Sequence, residues 1–214
     1  MKRVVLAVAV LASPALASCR SASSQQSAPI VQPGSPGGAS RVLTPGSAES
    51  MVRPMFTAAD VKFMQGMISH HAQAVEMVDL LKTRTSDSGL HQLGERIQVS
   101  QKDEIKLMEA WLRDRVQDVP GPHSMHMHGA TLMPGMLSEE EMAQLAAAKD
   151  AEFDRLFLKG MIKHHGGALT MVQELFASPG AGQDADIYAF ASDVEADQRM
   201  EINRMSAMLK ERQK

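Results

Sequence analysis

The sequence predicts an all-α fold: a four-helix bundle made from a duplicated helical hairpin, behind a disordered N-terminal spacer. Three observations carry that prediction. The block Phe63 to Val78 recurs 94 residues later as Phe157 to Val172, with nine of 16 positions identical, and Asp60 upstream matches Asp154. A weaker repeat at an offset of 97 pairs Gln101, Glu104, Ile105, Met108 and Leu112 with Gln198, Glu201, Ile202, Met205 and Leu209. Apolar residues at 63, 64, 67, 74, 75, 78 and 81 follow helical spacing. Two hairpins, neither able to bury its stripe alone, are expected to pack together. The three-residue difference between the offsets belongs to the loop around Ser178-Pro179-Gly180. No run of alternating β-branched residues predicts a strand.

In chain order, Met1-Lys2-Arg3 precedes an apolar run from Val4 to Leu11, and Leu16-Ala17-Ser18-Cys19 follows. A charged start, a short apolar stretch and small residues at the cut are the layout of a secretory signal, here residues 1–18. The run is shorter than the roughly 20 apolar residues a permanent membrane span needs. Leu-Ala-Ser-Cys resembles a bacterial lipobox, in which the Cys becomes the lipidated first residue. The alternative is an ordinary signal cut nearby, leaving a free thiol. The single Cys stands at the end of the signal, which favours the lipoprotein. Lipid on Cys19 would anchor the chain to a membrane of the cell envelope. In a cell with two membranes, Arg20 resembles the pattern of outer-membrane sorting, facing the periplasm. Residues 19–55 are the spacer: across 20–54, eight Ser, five Pro and four Gly leave too little apolar surface to fold.

The folded part spans 56–214. Thr57 is a candidate N-cap for the first helix, with Asp60 in its first turn. The second helix runs from Ser88 to Arg115, ahead of Pro120-Gly121-Pro122. Ser138-Glu139-Glu140-Glu141 is a capping box that opens a short Ala-rich helix. The remaining repeat-bearing helices are expected over residues 151–177 and 184–212. A Met- and His-bearing loop, 120–137, joins the halves.

Composition narrows the function. Seventeen Met against eight aromatic residues is anomalous, since a thioether serves either as core filler or as a soft-metal ligand. One Cys excludes a disulfide scaffold and a thiolate cluster. A formal net charge of −3 gives no electrostatic footprint for DNA or RNA.

The paired histidines have a definable geometry. At about 100° per residue, with Met67 at zero, His71 falls near +40° and His70 near −60°. His71 and His165 therefore sit inside the apolar stripe, and His70 and His164 on its flank. Symmetry-related helices could bring Met67, His71, Met161 and His165 together at the bundle centre. Spacing alone leaves two readings open: metal ligands, or packed imidazoles held by Glu104 and Glu201 on the companion helices. The loop His123-Ser124-Met125-His126-Met127-His128, followed by Met133 and Met136, puts three His and four Met in 14 residues. That is a metal-tract composition, read as exposed Met with no packing duty. Neutral thioether and imidazole donors suit Cu(I), and Ag(I) is softer still. The alternative is a Met-rich loop folded over the core.

The doubled Met-Ile-x-His-His-x-x-Ala-x-x-Met block, each copy followed by a Gln-x-x-Glu-Ile helix, resembles the bacterial "domain of unknown function 305" family over residues 56–212. The resemblance implies a ferritin-like fold and a likeness to exported copper- and silver-binding members linked to metal tolerance. It makes Met67, His70, His71, Met77, Met161, His164, His165 and Met171 the positions to test. Di-iron sites on such a fold use Glu-x-x-His motifs, and no Glu here is followed three residues later by His. His-Glu-x-x-His, a Gly-rich phosphate loop and a nucleophile elbow are also missing, so the sequence reads as a non-enzyme. The expected function is a membrane-tethered envelope protein that binds Cu(I), or Ag(I), through Met and His for copper buffering or tolerance. Its expected partners are the metal ion and the membrane, with no nucleic acid, and with a homo-oligomer or an envelope protein left open. Two other classes compete: a helical interaction module whose histidines are structural, and a redox enzyme working on bound copper or iron.

Overall fold

The computed structural model describes residues 30–32, 39–43, 56–121 and 132–212. The signal sequence, Cys19 and the loop residues Met125, His126, Met127 and His128 lie outside the described residues. Ahead of the helices, β1 (Ile30–Gln32) pairs antiparallel with β2 (Arg41–Leu43), Val31 opposite Val42. This corrects the expectation of a strand-free chain. Strands of three residues are too short to show alternation; the available signal is β-branched Ile30, Val31 and Val42 around a Pro/Gly-rich segment. Val31 and Val42 remain exposed, so the pairing gains little burial and is marginal as an isolated unit.

All other regular structure among the described residues is helical: α1 (Ala58–Arg84), α2 (Ser88–Asp114), α3 (Glu139–Ala147), α4 (Asp150–Ala177) and α5 (Ala185–Glu211). Local chemistry sets the starts. The Thr57 hydroxyl accepts from Asp60 N at 3.2 Å, and Thr57 N donates to the Asp60 carboxylate at 2.6 Å. Ser138 and Glu141 make the same reciprocal box at α3. Asp87 and Asp184 cap α2 and α5. Each cap of this kind stabilises its helix by about 1 kcal/mol.

Helices α1 and α2 form one hairpin and α4 and α5 the other; the hairpins meet along α1 and α4, with α3 against both. The meeting is antiparallel, because Met77 of α1 reaches Gly160 of α4 and Met171 of α4 reaches Gly66 of α1. Two apolar clusters result. One joins the start of α1 and the end of α2 (Phe63, Met67, Met108, Leu112) to the end of α4 and the start of α5 (Val172, Leu175, Ile187, Val194). The other joins the opposite ends, with Met77, Leu81, Leu93 and Ile97 against Phe153, Phe157, Met161 and Met205. Burying each such side chain contributes roughly 1.5–3 kcal/mol.

The hairpins are also tied reciprocally at their ends. Arg115, beyond α2, donates to the α5 cap Asp184 at 3.2 Å and to Asp186 at 3.0 Å. Arg212, beyond α5, pairs with the α2 cap Asp87 and approaches Asp154 at 3.8 Å. Asp87 and Asp184, like Arg115 and Arg212, are 97 residues apart, so these pairs belong to the weaker repeat. They carry no periodicity signal, which is why helix patterning does not reveal them. The loop between α4 and α5 is longer than that between α1 and α2, where the change of offset was expected; there Gly182 N donates to Asp60 at 2.8 Å. Gly182 has φ +67, and a Cβ on it would stand 2.7 Å from the Phe176 ring.

Candidate metal centre

Between the two apolar clusters every long helix turns polar. His70, His71 and Gln73 on α1, Gln101 and Glu104 on α2, His164 and His165 on α4, and Gln198 and Glu201 on α5 fill this layer. All four histidines are at most 1 % exposed. The helical projection places His70 and His164 on a flank. The structure buries them, because the segment 133–137 covers that flank.

The histidines divide into two kinds. His71 Nε2 donates to Glu104 at 2.5 Å, and His165 Nε2 donates to Glu201 at 2.5 Å, each pair within its own hairpin. Ser100 adds a 2.8 Å bond to Glu104. Burial pushes the Glu104 carboxyl up, but its bonds from His71 and Ser100 outweigh this and hold it below the ordinary range. His70 and His164 instead meet each other where α1 crosses α4, ring centroids 3.9 Å apart and planes tilted by 37°. His70 Nε2 donates to Pro134 O at 2.9 Å, and His164 Nε2 to His70 O at 2.9 Å. Burial first, and the neighbouring His71 second, lower the His70 pKa to about 3. His164 is also driven well below the ordinary value, by burial and then by His70.

These bonds fix the tautomer. A carbonyl oxygen only accepts, so Nε2 carries the proton on His70 and His164, and Nδ1 is left as a bare lone pair. In all four histidines Nδ1 is buried and has no hydrogen-bond partner. An imidazole whose N–H is held by a carboxylate or carbonyl, with its other nitrogen free, is prepared as a metal ligand.

The thioethers are distributed less simply. Met67, Met77 and Met161 are fully buried and Met171 is nearly so. Met67 and Met161 lie in opposite clusters. The antiparallel crossing puts Met67 and Met161 on opposite sides of the polar layer, and the rings that meet at the crossing are those of His70 and His164. Nor are Met133 and Met136 exposed Met without a packing duty. Met136 is 3 % exposed, and Met133 is half-buried against the first cluster. Among the described residues no three His, Cys, Asp or Glu side chains group closely enough to hold a metal ion. Imidazole Nδ1 and thioether donors fit a soft monovalent ion better than Zn(II).

The end of the Met/His loop, residues 133–137, is strapped across the layer at two positions that the sequence does not single out. Gln73 Nε2 donates to Leu137 O at 2.9 Å, and Leu137 N to Gln73 Oε1 at 2.8 Å. The repeat mate of Gln73 is Gly167, on which a Cβ would stand 1.9 Å from Pro134 O. Gly135, at φ +74, lies against the same turn of α4. Positions 73 and 167 are one of seven pairs that differ among the 16 of the repeated block, so the sequence alone does not single them out.

Among solved structures, the chain is similar to a DUF305 fragment from Deinococcus radiodurans, 31 % identical with a TM-score of 0.63, covering 73 % of this chain and 98 % of that one. It is similar to a DUF305 protein from Streptomyces coelicolor described as secreted, 28 % identical with a TM-score of 0.61, covering 72 % and 93 %. It is also similar to CopM in its Cu(II)-bound form, 26 % identical with a TM-score of 0.58, covering 71 % and 96 %. A curated relative, uncharacterized protein L153 of Acanthamoeba polyphaga mimivirus, is 38 % identical over 56 residues, or 26 % of this chain and only 37 % of that protein. A family model described as a domain of unknown function, DUF305, matches residues 60–209, and the chain belongs to that family.

Proposed function

We propose that this protein is an exported, membrane-tethered binder of Cu(I), with Ag(I) as an equivalent soft ion, and that its role is copper buffering or tolerance rather than catalysis. The observation that carries the reading is the set of four histidines, each anchored through Nε2 and each presenting an unpartnered, buried Nδ1. The thioethers of Met67, Met77, Met161 and Met171 stand on the same two helices. The likeness to CopM, solved with Cu(II) and, at 25 % identity, with Cu(I), supports copper as the bound ion. His70, His71, His164 and His165 would supply the nitrogen donors, and Glu104, Glu201 and Pro134 would orient them. Bound copper would supply soft-ion storage at these residues. The finer architectural reading is a ferritin-like four-helix bundle held off the membrane by the 19–55 spacer, with lipid on Cys19. The likeness to a protein described as secreted supports export, and no described helix is long and apolar enough to cross a membrane.

A competition titration against a chromogenic Cu(I) chelator tests this. The mature chain should withdraw Cu(I) from the chelator and prefer it to Zn(II). Replacing all four histidines with Ala should lower Cu(I) affinity by at least tenfold. If that variant binds Cu(I) like the wild type and only melts earlier, the histidines are structural and the competing reading, a helical interaction module, is correct.

A further inference from the structure

We propose that Met133 and Met171 form a thioether site for a soft monovalent ion over Gly66, a site that the second half of the molecule lacks because Leu137 occupies the matching place. The proposal rests on the Cu(I) reading above and adds to it a location and an asymmetry. Gly66 and Gly160 are repeat mates, as are Met77 and Met171. Helices α1 and α4 each send one of these Met across to the glycine of the other. A Cβ on Gly66 would lie 3.4 Å from Met171 Cε and 3.2 Å from Met133 Sδ. A Cβ on Gly160 would lie 3.1 Å from Met77 Cε and 3.1 Å from Leu137 Cδ2.

The two glycine faces are thus filled alike, by one Met from the opposite helix and one side chain from the strap. Only over Gly66 are both of these side chains thioethers. Leu137 shows that a hydrocarbon suffices to pack such a place, so packing does not require sulfur at position 133. Exposure differs slightly as well: Met77 is 0 % exposed, whereas Met171 is 8 % exposed and Met133 is half-buried. The Met133 backbone is held in place: the next residue, Pro134, accepts from His70 at 2.9 Å, and Gly135 is wedged against Gly167. A pre-positioned pair of neutral sulfur donors loses no proton on binding and selects soft ions over Zn(II).

Ag(I), which does not change oxidation state, is the probe. The full mature chain, with its Met methyl groups labelled in carbon-13, is titrated with Ag(I) and followed by NMR and by equilibrium dialysis. The Met133 and Met171 methyl signals are expected to shift together. Met133→Leu and Met171→Leu should each lose one equivalent of Ag(I), while Met205→Leu, in the buried core of the second cluster, keeps the wild-type stoichiometry. Leu137→Met should gain one equivalent by completing the matching place over Gly160. Leu and Met are close in volume, so these variants keep the fold, and melting curves check it. The proposal is overturned if Met133→Leu binds as many equivalents as wild type, or if other Met methyl signals shift while those of Met133 and Met171 stay still. The latter results leave soft-metal binding standing, whereas a wild-type chain that takes up no Ag(I) and no Cu(I) removes both.

Discussion

The two halves of the helical body carry the same His-His block and use its histidines differently. The second histidine of each pair behaves identically, His71 toward Glu104 and His165 toward Glu201, both at 2.5 Å. The first does not: His70 donates to the strap carbonyl of Pro134, and His164 donates to the backbone of His70 itself. Contacts that stay within a hairpin are duplicated with the hairpin. The end locks Arg115–Asp184 and Arg212–Asp87 cross between the hairpins and are duplicated too, but the contacts made by the single linking segment have no second copy and break the symmetry. Gln73 and Gly167 record this, one bonding the strap and the other making room for it.

The largest expected effect concerns what the halves share, buried neutral imidazoles. In the unfolded chain a histidine titrates near its ordinary 6.5, whereas His70 in the fold titrates near 3 and His164 well below its ordinary value. Between those values the unfolded chain binds the extra protons, so stability of the metal-free protein falls as pH drops from 6.5 toward 3. The slope is about 1.4 kcal/mol per pH unit for each histidine. The lowered Glu104 adds loss in the same direction as pH falls below the ordinary carboxylate range. Urea unfolding midpoints measured across this range check the slope, and a flat profile from pH 6.5 to 4 contradicts the buried-neutral assignment.

The next effect separates the halves. Gly167→Ala drives a methyl into Pro134 O and should destabilise by about 3 kcal/mol. Its neighbour Gly166 faces open space, and Gly166→Ala should stabilise by roughly 0.5–1 kcal/mol through helix propensity. Equal urea midpoints for the two variants would mean that the strap does not hold α4.

The smallest effect compares the end locks. Arg212→Ala removes a partly exposed pairing to Asp87 and should cost on the order of 1 kcal/mol or less. Arg115→Ala should cost more, because Arg115 also lies 4.3 Å from the Trp111 ring centroid. The losses should add in the double variant, since the locks sit at opposite ends. Thermal melts of the three variants test the order, and Arg212→Ala proving the costlier would reverse it.

Much of this was legible in the sequence. The repeats and the 3.6-residue stripe set the helices, capping chemistry set the starts of α1 and α3, and the 97-residue offset put Glu104 and Glu201 beside the paired histidines. What escaped depends on how elements cross. A helical projection shows which face a residue occupies and not what lies over it, so His70 and His164 read as flank positions until the strap covers them. It also says nothing about direction, and the antiparallel crossing is what keeps Met67 from Met161. The loop thioethers Met133 and Met136 looked free only because a segment without periodicity gives no sign of docking.

The central claim is that this chain holds a soft metal ion through Met and His. The most direct measurement is the stoichiometric metal content of the protein isolated from the envelope of copper-supplemented cells, by elemental analysis beside the quadruple His→Ala variant. At least one copper per wild-type chain, little zinc or iron, and a clear loss in the variant is the expected result. Copper-free wild-type protein, or equal copper in both, would contradict it.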